Sequence, residues 1–260
     1  LASSDTPNSQ LRLRVFAGPN GSGKSTVIKS IRDTIVNGRN LDFGTYINAD
    51  DIASALKEKT FSFSSFNLNP KKEQLISFAN ISGLIYTKAD LSHFTDSFDL
   101  KNQELITSPD LPPDRLAQIT ARYLREQLLS DNQRFSFETV FSHRSNLDIM
   151  RRAAESGYKV YLYFVSTESP EINKYRVALR VKQGGHNVPI NKIEERYYRS
   201  LSLLKEAADL SYQAFFFDNS IDNEPYKLVG HFKMLGDQQN WDNIREDQIS
   251  QWFRKYYLEA

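Results

Sequence analysis

The strongest chemical signal in the chain is Gly18-Pro19-Asn20-Gly21-Ser22-Gly23-Lys24-Ser25-Thr26. It fits G-x-x-x-x-G-K-[ST] at every fixed position, the pattern of a loop that wraps the phosphates of a nucleotide. Glycines let the backbone curl so that successive N–H groups point inward at phosphate oxygens. Lys24 supplies a point charge for the outer phosphates. Ser25 offers a hydroxyl to Mg²⁺, which prefers oxygen ligands and keeps several waters. The helix that begins here aims its positive end at the same anion.

Three further groups have the chemistry to work beside such a loop. Asp50 follows a short apolar segment and is a candidate base for a substrate hydroxyl. Its bland alternative is a helix N-cap, with Asp51 as the neighbour that would share the two tasks. Glu138 lies in Phe135-Ser136-Phe137-Glu138-Thr139-Val140-Phe141. A carboxylate among apolar neighbours calls for a partner such as Mg²⁺ through water or a polar substrate, unless its strand is an edge with a solvated face. The third group is basic: Lys174, Arg176, Arg180, Lys182, Lys192, Arg196 and Arg199 against Glu194 and Glu195. Arg176 and Arg180 share one helix face, as do Lys192 and Arg196. Between them stands Gln183-Gly184-Gly185-His186-Asn187-Val188-Pro189, a flexible connector in which His186 is a candidate phosphate contact. Two cationic helices around such a connector suggest a lid over phosphates, as against two helices with ordinary surface charge.

The elements that must position these groups follow from periodicity. Leu11–Ala17 reads as a buried strand and Lys24–Val36 as a helix stopped at Asn37-Gly38, the context that the loop requires. Thr45–Asn48 reads as a strand and Ala49–Leu56 as a helix. Lys71 to about Leu91 is one helical stretch, and Ser92–Pro113 has no clear period. Arg115–Leu129 is an amphipathic helix, Arg134–Phe141 a strand, Asn146–Ser156 a helix and Lys159–Ser166 an apolar strand. Helices are expected at Pro170–Lys182 and Pro189–Ala208, strands at Ala214–Asp218 and Lys227–Phe232, and a terminal helix at Asp247–Tyr257. Strands alternating with helices imply an α/β fold, a parallel sheet with helices on both faces. In such sheets ligands sit beyond the carboxyl ends of the strands, where Lys24, Asp50 and Glu138 fall. Residues 1–10 are expected as a disordered tail. Residues 11–260 are expected as one P-loop domain, with an aromatic insertion at 60–113 and the lid at 171–199. The insertion is either a substrate-facing subdomain or a packing embellishment.

Composition bounds the function. The chain has 260 residues, a net charge of +1, no cysteine and four histidines. The near-zero charge gives no sign of a polyanion partner. The absence of cysteine excludes disulfides and thiolate metal sites, and His93, His143, His186 and His231 are too scattered for a zinc pair. The longest apolar runs are too short to cross a bilayer, so the expected location is cytoplasmic.

Taken together, the P-loop, Ile47-Asn48-Ala49-Asp50, Phe137-Glu138-Thr139 and Arg176-Val177-x-x-Arg180-Val181-x-x-Gly184-Gly185-His186-x-Val188-Pro189 resemble the zeta toxin family, in its chromosomal branch. The resemblance covers most of Arg12–Ser220 apart from the insertion, and the lid string is its specific part. It implies a nucleotide-kinase-like fold and transfer of the γ-phosphate of ATP (GTP less readily), with Mg²⁺, to the 3′-hydroxyl of the sugar of UDP-N-acetylglucosamine. It also implies a possible antitoxin protein as partner. By position it makes Asp50 the catalytic base and Lys24 and Ser25 the phosphate and Mg²⁺ ligands. Glu138 becomes the carboxylate of the third strand and Arg180 a phosphate-binding arginine, with Arg176, Arg196 or His186 as the second. Better-known members carry Glu-Gly-Thr where this chain has Glu138-Thr139-Val140, a departure at the substrate ligand Thr139. Two other classes stay open: an ATPase or nucleotide switch acting on a protein, and a polynucleotide 5′-kinase.

Overall fold

The computed structural model describes residues 10–36, 38–58, 60–108, 113–185, 187–243 and 245–260. In chain order the elements are β1 (Arg12–Ala17), α1 (Lys24–Arg32), β2 (Ile35–Val36), β3 (Arg39–Asn40), β4 (Thr45–Ile47), α2 (Ala49–Lys57), β5 (Thr60–Ser62), α3 (Lys72–Ile81), α4 (Lys88–Asp96), β6 (Phe98–Lys101), β7 (Glu104–Thr107), α5 (Asp114–Ser130), β8 (Phe135–Thr139), α6 (Ser145–Glu155), β9 (Lys159–Ser166), α7 (Pro170–Lys182), α8 (Ile190–Ser202), α9 (Leu204–Asp209), β10 (Gln213–Asp218), β11 (Lys227–Leu235), β12 (Gln238–Trp241) and α10 (Gln251–Phe253). The chain divides into two compact units. One runs to Gly44 and resumes at Glu138, and the other is Thr45–Phe137.

In the first unit β1 pairs parallel with β9, and β9 parallel with β10. These strands read as continuous apolar runs because their carboxyl halves are buried on both faces, as parallel strands covered by helices are. One face carries Phe164 and Phe216, against which Trp252, Phe253 and Tyr257 of the C-terminal segment pack. The other face carries a row of stacked rings across neighbouring strands, Phe16 on Tyr163, Tyr163 on Phe215 and Phe215 on His231. Such cross-strand aromatic pairs stabilise a sheet and hold its register. The sheet then turns antiparallel: β10 pairs with β11 and β11 with β12. The hairpin to β12 lacks strong alternation, and β12 has no expected counterpart in the sequence reading.

In the second unit β4 pairs parallel with β8, Ile47 opposite Phe137. A separate antiparallel sheet in the order β5-β7-β6 occupies part of the stretch without clear period. Its hairpin turns at Asn102-Gln103, with φ of 49° and 68°, where the sequence shows no glycine to announce the turn. Phe63, Leu75, Phe94, Phe98 and Leu105 are buried. Many of the aromatic residues that mark this stretch therefore build a core of their own. The α5 guanidinium of Arg125 lies 3.9 Å over the Phe137 ring, and burial lowers it to about 9, so it remains a cation at neutral pH.

Four helical expectations need correction. The first helix ends at Arg32, not Val36, and Ile35 is exposed in the short β2–β3 ribbon. The stretch 71–91 is two helices broken around Gly83, whose φ of 70° a helix interior excludes. The stretch 189–208 breaks at Leu203 into α8 and α9. The terminal helix is a succession of a 3₁₀ turn, the short α10 and a π turn at Arg254–Leu258. Residues 1–9 of the expected tail lie outside the described residues, whereas the side chain of Gln10 donates to Gly157 O at 3.1 Å. Among the described residues no helix is long and apolar enough to cross a membrane.

Candidate functional site

The P-loop joins β1 to α1 within the first unit. Its backbone is held by Ser22 N–H donating to Pro19 O (3.3 Å) and Thr26 N–H donating to Gly23 O (3.1 Å). Gly23 precedes α1 at φ 88°, a left-handed conformation that favours glycine. The first turn of α1 contains no acidic residue, and no side chain caps it among the described residues. An anion at this helix start would meet no opposing side-chain charge or cap. Asn20 Oδ1 and Ser22 Oγ are buried and have no hydrogen-bond partner among the described residues. A buried polar atom without a partner is costly and points to a ligand or solvent that completes it.

Lys24 is 7% exposed. Its ammonium donates to Pro19 O at 3.1 Å and lies 4.0 Å from Glu138 Oε1. Glu138 comes from the end of β8, and its side chain is 13% exposed, so it does not lie on a solvated edge. A cation and a carboxylate thus meet beside the cradle, while Ser25 and Thr26 are exposed at the start of α1. This set fits a polyphosphate. It also fits a hard cation held through Ser25 and Glu138 oxygens. Among the described residues no group of three or more His, Cys, Asp or Glu could cage a metal, so phosphates and water would supply most ligands of such an ion.

Thr139 follows Glu138 with its hydroxyl engaged in the backbone. It accepts from Phe141 N–H at 3.1 Å and donates to Asn146 Oδ1 at 3.3 Å. These bonds support the turn at Phe141, whose φ is 60°. A turn held this way, ahead of α6, gives Thr139 a structural task in this chain.

The two helices expected to form a lid are present as α7 and α8. Val177, Val188 and Ile193 are buried together, with Val181 against them. Their charges are largely neutralised. Lys174 pairs with Glu194 at 2.6 Å, and Glu195 receives both Lys192 (2.9 Å) and Arg199 (2.6 Å). These cations hold the Glu195 carboxyl below its usual range, with Arg196 contributing. Arg176 donates to Asp222 Oδ1 and to Asn219 O (2.6 Å). Arg180 is exposed at the end of α7 beside Gly185, and Arg196 is half-buried on α8. His186 lies outside the described residues.

In the second unit, Asn48 caps α2, accepting from Asp50 N–H at 2.9 Å. The cap expected of an aspartate is therefore an asparagine two residues earlier. The Asp50 carboxylate is exposed in the first turn and has no part in the cap. Replacing Asn48 with alanine is expected to lower stability by about 1 kcal/mol, the usual worth of an N-cap. Chemical denaturation would show a lower midpoint with an unchanged slope.

Several residues at this site carry no periodic or motif signal. Asn173, wholly buried on α7, donates to Asn20 O at 2.6 Å. Asn219, just after β10, donates to Ser22 O at 2.9 Å. Asp218 accepts from Trp252 Nε1 at 2.7 Å, and Glu168 accepts from the backbone N–H groups of Gln251 (2.8 Å) and Trp252 (3.1 Å). Searching the carboxyl ends of β9 and β10, as for the other strands, would have found Glu168, Asp218 and Asn219, though not Asn173.

No family model matches the chain. An uncharacterised protein of Haemophilus influenzae (strain Rd) is 35% identical over 63 residues, 24% of this chain and 45% of that protein. Among solved structures, the AvrRxo1-ORF1:-ORF2 complex with ATP matches 90% of this chain with a TM-score of 0.51 and 15% identity. The same complex with sulphate ions matches with a TM-score of 0.50 and 16% identity. The chain spans 61% of the matched AvrRxo1 chain and less than half of the Haemophilus protein. At such identities the likeness concerns architecture: over most of its length this chain shares the α/β fold of the matched AvrRxo1 chain.

Proposed function

We propose that the chain is an ATP- and Mg²⁺-dependent phosphotransferase that phosphorylates a hydroxyl of a small-molecule acceptor. The observation that carries this reading is the phosphate cradle, with Lys24 buried in it 4.0 Å from Glu138. A loop built for phosphates with a cation and a carboxylate at its mouth has the parts that phosphoryl transfer asks of a protein, positioning and charge neutralisation. That the fold-sharing AvrRxo1 complex was crystallised with ATP supports ATP as the donor.

In this reading the P-loop amides and Lys24 hold the phosphates. Mg²⁺, near Ser25 and Glu138, would neutralise charge on the β- and γ-oxygens. The acceptor oxygen bonds to the γ-phosphorus, the bond between that phosphorus and the β,γ-bridging oxygen breaks, and ADP leaves. Asp50 accepts the proton of the acceptor hydroxyl, a role that rests on its place after β4 and on the family resemblance. Arg180 and Arg196 are the lid cations assigned to the transferring phosphate. The resemblance also suggests the sugar hydroxyl of UDP-N-acetylglucosamine as acceptor and an antitoxin as partner. The match to a two-protein AvrRxo1 complex supports the search for a partner.

Incubation with γ-labelled ATP, Mg²⁺ and a panel of UDP-sugars, nucleosides and oligonucleotide 5′-ends tests the assignment. Label is expected on a UDP-sugar. Label on water alone would replace the kinase reading with an ATPase or switch, and label on RNA or DNA ends would point to a polynucleotide kinase.

A further inference from the structure

The peptide groups of the P-loop are held from outside, by two side chains that neither the motif nor the proposed chemistry includes. Asn173 Nδ2 donates to the carbonyl of Asn20 at 2.6 Å, and Asn219 Nδ2 donates to the carbonyl of Ser22 at 2.9 Å. A trans peptide is planar, with its C=O and the following N–H pointing in opposite directions. Fixing those two carbonyls outward therefore turns the N–H groups of Gly21 and Gly23 the other way. Neither N–H has a partner among the described residues. The glycines are matched to the two asparagines as well. A Cβ on Gly21 would lie 2.7 Å from Asn173 O, and one on Gly23 would collide with the Asn219 amide nitrogen.

Each asparagine is itself secured. Asn173 accepts from the Thr167 hydroxyl through Oδ1, and the Thr167 carbonyl accepts from Tyr197 OH at 2.6 Å, which ties α8 to the same point. The backbone of Asn219 is held on both sides: its N–H donates to Ser166 O at 2.9 Å, and its carbonyl accepts from Arg176 Nη1 at 2.6 Å. Arg176 is in turn fixed by Asp222, through Nε at 2.8 Å and Nη2 at 2.5 Å.

We propose that Asn173 and Asn219 are positioning residues that hold the P-loop in its phosphate-binding curl, and that Arg176 locks Asn219 in place instead of touching a phosphate. The first turns of α7 are then anchored to the P-loop. The proposal rests on the reading of this loop as a phosphate site, though not on any acceptor.

Its test is binding of MgATP and of inorganic tripolyphosphate to the full chain by titration calorimetry, with no acceptor present. Asn219→Ala and Asn173→Ala are each expected to weaken both ligands by about tenfold, the usual cost of losing one buried orienting hydrogen bond. The unfolding midpoint of the Asn219→Ala protein without ligand is expected to stay within a few degrees of the parent. Because Asn173 is wholly buried, Asn219→Ala carries the test if the other variant does not fold. Arg176→Ala is expected to weaken binding in the parent and to have no further effect in the Asn219→Ala background, since it acts through that residue. Undiminished affinity in folded Asn219→Ala overturns the clamp. An Arg176→Ala loss of equal size in both backgrounds overturns the locking role and returns Arg176 to the phosphates. Failure of the parent chain to bind either probe removes the phosphate-site reading and the clamp together. Binding without transfer to any acceptor removes only the kinase reading.

Discussion

Lys24→Met is expected to abolish measurable phosphotransfer, lowering kcat/KM by about 10²–10³-fold, the cost of removing one preorganised charge or donor aimed at the transition state. Methionine keeps the unbranched stem and its packing in a site that is 7% exposed. What disappears is the ammonium, with its hydrogen bond to Pro19 O and its place 4.0 Å from Glu138. ATP affinity should fall as well, because the same charge serves the ground-state phosphates. Stability without ligand is expected to fall by about 1–3 kcal/mol, since Pro19 O loses its donor and the Glu138 carboxylate loses a neighbouring cation. Initial-rate kinetics, calorimetry and thermal unfolding on one preparation separate these effects. An active Lys24→Met protein would mean that the reaction does not pass through the P-loop.

Asp50→Asn is expected to lower turnover by about 10²–10⁴-fold, the range for a general base, while ATP affinity stays within about twofold. An amide has the shape of the carboxylate and cannot take the proton. The structure makes this substitution informative, because the cap of α2 is supplied by Asn48, and the Asp50 side chain has no part in it. The expected effect on stability is only the loss of a negative charge in the first turn of a helix, about 0.3–1 kcal/mol. Asn48→Ala is the converse: it should lose stability and keep the chemistry. Retention of turnover by Asp50→Asn would leave Asp50 as an ordinary first-turn acid, and the base would have to be sought elsewhere.

Much of the fold was legible in the sequence because the signals are local. β9 and α7 occupy the residues that periodicity assigns to them, and β1, α5, α6 and β10 differ by a residue or two at their ends. The errors have physical causes. Gly83 interrupts a helical pattern that continues on both sides, since helix formers at 72–81 and 88–96 keep the period while one left-handed residue breaks the chain. β6 and β7 are not legible because the turn between them uses Asn102-Gln103 and the strands are short. The helices α7 and α8 are legible, whereas the pairing of their charges is not. Glu194 and Glu195, few in number, sit where they pair with Lys174, Lys192 and Arg199. Spacing along one helix does not reveal pairing between two.

By itself the sequence determined the P-loop, the expected phosphate cradle. Such a site is made by backbone amides and the start of one helix, so its parts lie within a few residues of one another and its glycines, lysine and serine can be read in order. Tertiary structure decided what surrounds the cradle. Glu138 reaches Lys24, Asn173 is brought to Asn20 from 153 positions away, and Asn219 to Ser22 from 197. The two asparagine meetings depend on parallel pairing of β1 with β9 and β9 with β10, which gathers the carboxyl ends of these strands at one end of the sheet. An asparagine side chain has no periodicity, and its role exists only where folding supplies the carbonyl that it holds.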